Sequence, residues 1–120
     1  MKKVMCTSLR PVQLECDFWL IDSDAYFHMT PHKEWFYEYE KFDDNGILLG
    51  DNSLTRIFGR GKVQLILKDG RRGTLLGVLH ILGLSRNLLS INKMGNVGVH
   101  TIFEKYSCKM VRGAMVLMRG

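Results

Sequence analysis

Cysteine is scarce in this 120-residue sequence, which contains only Cys6, Cys16 and Cys108. Their number is odd, no Cys-x-x-Cys pair occurs, and no regular histidine series lies near them, so neither a disulfide framework nor a zinc site is expected. His28 and His32 lie four residues apart, but the proline between them disfavours a shared helical face and therefore a metal site. This cysteine usage favours a reduced, intracellular and cytoplasmic setting, and we expect no metal and no other cofactor.

The sequence also lacks long apolar runs. None approaches the roughly 20 residues that a transmembrane helix needs, and the amino terminus has no sustained apolar segment of a secretory signal. The formal charge of +5 at pH 7 would suit nucleic acid, but the basic residues are scattered rather than gathered in a stripe. A solvated basic surface is the favoured interpretation, with no membrane and no specific nucleic-acid partner.

Strand-forming segments separated by turn residues make up most of the sequence. The length and the hydrophobic content of 46% fit one small domain with a modest core. Strands are predicted at 18–21, 47–49, 55–58, 62–67, 74–81, 99–104, 108–111 and 114–118. Turns are predicted at 43–46, 68–71 and 112–113, where glycine, twice preceded by Asp or Asn, favours chain reversal. The pattern predicts an all-β fold, namely a small closed β-barrel.

One short helix is predicted at 85–95, with Ser85 as its N-cap. The apolar face of this helix consists of Leu88, Leu89, Ile91 and Met94. The aromatic segment at 32–40 fits either a helical turn or a strand. The predicted core consists of Trp19, Ile21, Val63, Leu65, Val78, Ile81, Leu88 and Leu89.

Five segments carry a resemblance to a known family. They read W-L-I-D-S-D-A-Y-F-H-M-T at 19–30, L-L-G-D-N-S at 48–53, G-R-G-K-V at 59–63, G-V-L-H-I-L-G-L-S-R-N-L-L-S at 77–90, and F-E-K-Y-S-C-K-M-V-R-G at 103–113. In this order and spacing they resemble the protease region of copia-type retrotransposon Pol polyproteins, which are widespread in plant genomes. The resemblance implies a retropepsin-like acid-protease β-barrel at 17–97, preceded by an N-terminal extension at 1–16. It also implies C-terminal β-hairpin strands at 98–120, leading toward a missing pre-integrase region.

The resemblance further implies the residues of an active site. A buried strand that ends in Asp22, followed by Ser23 and Ala25, matches the Asp-Ser/Thr-Gly-Ala signature of retroviral-type aspartic proteases. Such enzymes use two carboxylates to activate a water molecule that hydrolyses a peptide bond. Because this chain has one such motif, Asp22 would meet its copy in a homodimer that acts on a polypeptide, the retroelement polyprotein. Ser23 would brace the pair through its hydroxyl, or is simply an exposed loop serine.

Two further segments are given roles by the same resemblance. Gly59, Arg60 and Gly61 fall where retroviral-type enzymes carry a glycine-rich flap tip that closes over the substrate. An ordinary hairpin turn or bulge is the alternative for these three residues. Arg86 and Asn87 would support the active-site loop and the dimer together with the alanine of the Asp-Ser motif, although a surface position near the helix start is the alternative for Arg86.

The sequence departs from the family pattern at the proposed site. Asp24 stands where the family has glycine, and Leu82 stands where it has proline. A carboxylate at position 24 adds bulk and, in a dimer, two negative charges beside the paired aspartates. We therefore expect an ancestral aspartic endopeptidase whose activity is impaired, with a non-catalytic β-barrel remnant or interaction module as the alternative.

Overall fold

The computed structural model describes residues 2–7, 17–48, 54–66, 71–84, 86–105 and 108–119. Within these ranges the chain forms ten strands, one 3₁₀ helix and one α-helix, so the predicted all-β fold with one short helix is confirmed. The elements are β1 Lys2–Thr7, β2 Asp17–Asp22, β3 Met29–Thr30, the 3₁₀ helix Lys33–Trp35, β4 Phe36–Leu48, β5 Leu54–Ile66, β6 Arg72–His80, β7 Asn87–Ser90, α1 Ile91–Asn96, β8 His100–Phe103, β9 Cys108–Arg112 and β10 Met115–Arg119. None of the described helices is long and apolar enough to cross a membrane.

Seven strands form one sheet in the order β1-β2-β7-β3-β6-β5-β4, and β8, β9 and β10 form a second sheet. Parallel pairing joins β2 to β7 and β3 to β6, whereas the other neighbours are antiparallel. The large sheet is open, because no ladder among the described residues joins β1 to β4 at its two ends. In the described residues the predicted closure into a barrel is not formed, because closure requires the two end strands to pair, and β4, although 13 residues long, pairs only with β5.

Burial follows the strand period. Between Ile57 and Leu65 of β5, alternate positions are buried and those between them are at least partly exposed, as in a strand that faces the core on one side. The buried positions in this range are Ile57, Gly59, Gly61, Val63 and Leu65. The end of β2, residues 19–22, is buried at every position, which shows that both faces of the sheet are covered at this end of the strand.

The buried side chains form two clusters. The larger cluster contains Trp19, Ile21, Trp35, Val63, Leu65, Leu75, Val78, Leu89, Met94, Val99, Cys108 and Met110. The smaller contains Met29, Ile57, Leu79 and Ile81, with Leu88 partly buried against it. The predicted core is confirmed, with the one qualification that Leu88 is half-buried. Cys108 is buried in the larger cluster, where a cysteine packs as a small apolar side chain.

The predicted helix start is wrong. Residues Asn87–Ser90 form β7, and α1 begins only at Ile91, with Ser90 rather than Ser85 as its N-cap. Leu88 and Leu89 pair in register with the middle of β2, and they pack against different clusters. Pairing with a buried neighbouring strand thus overrides a local helical spacing. Position 85 itself lies outside the described residues.

The turn predicted at 43–46 is also wrong, because these residues continue β4. The pairing of β4 with β5 has register shifts on both sides of Asp44, so the turn-forming residues are accommodated as irregularities within the strand. Positions 68–70 of the other predicted turn lie outside the described residues, but Ile66 pairs with Arg72, and β5 and β6 are antiparallel neighbours as predicted. The segment at 32–40 contains both alternatives, a 3₁₀ helix followed by the start of β4.

Tyr39 lies directly over Gly59. Its hydroxyl is 2.8 Å from Nδ1 of His80, and its ring packs edge-on against Phe36 with the centroids 5.2 Å apart. A Cβ added at Gly59 would overlap both the hydroxyl and the ring of Tyr39. Glycine is required at this position because an aromatic ring approaches the backbone closely.

Gly59→Ala should therefore lower the free energy of unfolding by about 2 kcal/mol, because Tyr39 must move and its hydrogen bond to His80 is lost. Urea denaturation measures the change. Gly95→Ala is the matched control, since a Cβ there meets open space and its φ lies outside the left-handed region. This control should leave stability unchanged or raise it by up to about 1 kcal/mol. Equal losses in the two variants would argue against the contact with Tyr39.

Candidate functional site

The candidate site begins where β2 ends in Asp22. This residue is 3% exposed and lies opposite Ser90 in the parallel ladder between β2 and β7. The backbone amide of Asp24 donates a hydrogen bond to Oδ1 of Asp22 at 2.8 Å, which turns the chain away from the sheet immediately after the strand. Ser23 and Asp24 are exposed in this turn. The sequence-predicted carboxylate therefore lies at a strand end, under a short loop.

Ser90 anchors this loop. Its side chain is fully buried, and its hydroxyl donates to the carbonyl oxygen of Ala25 at 2.7 Å while accepting from the amide of Lys93 at 3.1 Å. One hydroxyl thus caps α1 and fixes the loop after Asp22. Because buried polar groups are costly to leave unpaired, this contact holds the loop in one position.

His28 is the second anchor. The amide of Ser90 donates to Nδ1 of His28 at 2.9 Å, so the ring is neutral and carries its proton on Nε2. Burial of the ring, together with the positive charge of Lys93, lowers the pKa of His28 to about 4. The carbonyl oxygen of His28 also accepts from the amide of Leu79 at 2.9 Å. Side chain and backbone of this residue therefore join the loop to β7 and to β6.

Asn87 and Thr30 link β7 to β3, directly after the loop. The Thr30 hydroxyl donates to Oδ1 of Asn87 at 2.6 Å, and both side chains are buried. Of the residues predicted to support the loop, Ala25 is held through its carbonyl oxygen by Ser90, whereas the hydrogen bond of Asn87 goes to β3. Arg86 is exposed. The side chains that follow the Asp-Ser motif include two exposed aromatics, Tyr26 and Phe27.

The residues predicted as a flap tip occupy a different place. Gly59, Arg60 and Gly61 lie in the middle of β5, with β4 on one side and β6 on the other. They do not form the tip of a hairpin, because all three pair with β6, and Gly59 and Arg60 also pair with β4. The register of β5 against β6 shifts between Gly61 and Val63, which matches the alternative of a bulge.

Two departures from the family pattern are accommodated in the fold. Asp24 is exposed and its φ is not positive, so the turn does not require glycine for its backbone conformation. What the substitution adds to a single chain is a carboxylate at the surface. Leu82 is likewise exposed and precedes Gly83, whose φ of 80° is in the left-handed region.

Sequence reasoning missed His28, Thr30 and Ser90 as parts of the site. All three lie within the segments at 19–30 and 77–90 that resemble the family. Their place in these segments is the sequence signal that could have identified them. His28 and His32, weighed above as metal ligands, have other contacts: the first bonds to Ser90, and Nδ1 of the second lies 3.2 Å from Glu34. In the described residues, no group of three or more His, Cys, Asp or Glu side chains is placed to hold a metal ion.

Comparison with known proteins identifies the family of this chain. Residues 19–99 match the family described as the Pol polyprotein, beta-barrel domain. The chain is also similar to a retrovirus-related Pol polyprotein from transposon TNT 1-94 of Nicotiana tabacum, with 26% identity over 102 residues. That alignment covers 85% of this chain but only 8% of the tobacco protein. No solved structure matches. The family match spans more than half of the chain and confirms the resemblance seen in its motifs: this chain belongs to the beta-barrel domain family of copia-type retrotransposon Pol polyproteins.

Proposed function

We propose that this domain is one half of an aspartic endopeptidase whose two halves are copies of the same chain. The observation that carries the proposal is the position of Asp22, a carboxylate at the end of a buried strand whose following loop is fixed by Ser90 and His28. Catalytic groups need such fixed loops, since a small misplacement costs much of the rate.

In the proposed dimer, the Asp22 carboxylates of two chains face each other and share one proton. The ionised carboxylate accepts a proton from water as the water attacks the peptide carbonyl, and the protonated one donates a hydrogen bond to the carbonyl oxygen. Ser23 braces the two loops. The proposed substrate is a polypeptide, the retroelement polyprotein, and the proposed setting is the cytoplasm.

Asp24 impairs this activity in the proposal. Each chain of the dimer brings an exposed carboxylate two residues from Asp22. Like charges about 5 Å apart repel by about 3 kcal/mol at an effective dielectric near 20. Four carboxylates would then gather around one water molecule, and the chains separate more easily.

The exposed carboxylate of Asp24 also favours a second function, a non-catalytic interaction module. In that case the domain keeps its fold and its anchored loop but does not pair through Asp22. The two functions differ in assembly and in hydrolysis, so both are open to direct measurement.

The chain should be mainly monomeric at micromolar concentration near neutral pH, because the charges of Asp24 and its copy oppose pairing. Acid opposes the repulsion between like-charged carboxylates that pairing brings together, so any dimer should strengthen towards roughly pH 4–5. Sedimentation equilibrium at pH 7.5 and at pH 5 measures this, with Asp24→Asn as the control that lacks the charge at position 24. A tight dimer at pH 7.5 that does not strengthen at pH 5 would contradict the role of Asp24.

Hydrolysis is tested with a peptide library between pH 4 and 7, with and without pepstatin. Cleavage that pepstatin blocks, and that Asp22→Asn removes, supports the endopeptidase. Its absence from a variant that forms dimers favours the interaction module.

A further inference from the structure

A pocket of about 340 Å³ lies beside β6, α1 and the end of β9. Four consecutive residues of β6 line it, from Thr74 to Gly77. Successive residues of a strand point to opposite faces of the sheet, so a cavity that touches four in a row lies along the edge of the strand. Its volume is in the range of binding pockets for small molecules and peptide segments.

The edge of β6 that faces this pocket has little strand pairing. On one side β6 pairs with β5 along most of its length, and on the other side it pairs with β3 only at Leu79 and His80. Among the described residues, no strand therefore lies beside 74–77 on that second side. Exposed strand edges present backbone donors and acceptors that another extended chain can use.

The pocket carries positive charge and apolar surface together. Lys93 and Arg112 line it, and no Asp or Glu is among its lining residues. Leu76 and Val97, which also line it, are 53% and 49% exposed. An occupant complementary to this surface is extended, acidic and partly apolar.

We propose that this pocket binds an acidic peptide segment, which adds as a strand to the open edge of β6. Its backbone pairs with residues 74–77, a carboxylate lies near Lys93 and Arg112, and an apolar side chain covers Leu76. Main-chain hydrogen bonds supply affinity in this mode of recognition, and charges and apolar contacts supply specificity. The pocket shares His28 with the loop after Asp22 but contains none of residues 22–25, and it is a binding function beyond the proposed hydrolysis.

The test is fluorescence anisotropy with a labelled hexapeptide of alternating Glu and Val, titrated with the full 120-residue chain. The acidic peptide should bind, and the same peptide with Lys in place of Glu should bind at least tenfold more weakly. Lys93→Glu with Arg112→Glu should weaken binding of the acidic peptide at least tenfold and allow the lysine peptide to bind. Lys41→Glu is the matched control, since Lys41 is exposed on β4 and does not line the pocket, and it should change nothing.

Strand addition has its own signature. Alternate amides of an added strand face its neighbour, so N-methylation of one alternate set should abolish binding and methylation of the other set should leave it intact. Binding that tolerates both methylation patterns would overturn strand pairing, and failure of the acidic peptide to bind would overturn the site. Parallel titrations with Asp22→Asn should give the same affinities, so the result is independent of whether the chain hydrolyses peptides.

Discussion

Asp24→Gly should convert the chain into a dimer with acid-optimum endopeptidase activity that pepstatin-type inhibitors block. The substitution removes two carboxylates of the dimer from the neighbourhood of Asp22 and its copy. It leaves the turn intact, because the hydrogen bond to Oδ1 of Asp22 comes from the backbone amide at position 24. Cleavage of a fluorogenic peptide library between pH 4 and 7 measures the gain, with sedimentation equilibrium run on the same samples.

Asp24→Asn separates charge from bulk in this experiment. Asp24 is exposed and its φ is not positive, so the single chain tolerates a side chain there. If charge repulsion between the Asp24 carboxylates is what impairs the activity, the asparagine variant should gain as much activity as the glycine variant. If the two chains approach each other at this loop, only glycine should restore cleavage.

Adding Asp22→Asn to either variant should reduce the rate by about 10²–10⁴, because an amide can neither take a proton from water nor share one with its partner. Circular dichroism confirms that these variants remain folded. A soluble, dimeric Asp24→Gly chain that cleaves no peptide in this pH range would count against Asp22 as the residue that activates water. It would then favour the interaction module.

His28 should make the free energy of unfolding strongly dependent on pH. Its pKa is about 4 in the folded chain and near 6.5 in the unfolded chain, so the unfolded chain binds the proton more tightly. The stabilisation is complete above pH 6.5 and is lost as the pH falls from 6.5 towards 4. The loss amounts to about 3 kcal/mol, and urea denaturation at closely spaced pH values measures it.

His28→Asn is the informative variant, because an amide oxygen can accept the hydrogen bond from Ser90 without titrating. Between pH 6.5 and 4, the free energy of unfolding of this variant should fall by about 3 kcal/mol less than that of the parent chain. Burial also lowers the pKa of His80, so a smaller slope of the same sign should remain. His100→Asn, at an exposed position, should keep the parent slope. An unchanged slope in His28→Asn would show that the ring is not the group that titrates.

His28 also acts on the loop after Asp22. Protonation of His28 removes the acceptor for the amide of Ser90, and Ser90 holds the carbonyl oxygen of Ala25. In the proposed dimer, acid should strengthen pairing of the carboxylates, and protonation of His28 should weaken the anchor of the loop that carries them. Any cleavage should fall off on the acid side as His28 takes up its proton, and His28→Asn in the Asp24→Gly chain should extend activity to lower pH.

Much of the strand arrangement was predictable because local chemistry specifies it. The run of large apolar residues before Asp22 predicts a buried strand, and β2 is that strand. The Asp-Gly pair at 69–70 predicts the antiparallel pairing of β5 and β6. The start of the helix could not be predicted in the same way, because Leu88 and Leu89 fit the spacing of either a helix or a strand. Their pairing with β2 decided for the strand.

The sequence by itself determined the strand content, most of the core, the family, and the place of Asp22 at a strand end. These features depend on side-chain periods, turn residues and motif order, all of which are local or linear properties of the chain. Tertiary structure alone decided that the large sheet is open in the described residues, that Gly59 lies under Tyr39, and that the loop after Asp22 is hydrogen-bonded to Ser90. The two hydrogen bonds between Ser90 and this loop join residues 62 and 65 positions apart. Such contacts depend on which strands become neighbours, and no local pattern specifies that.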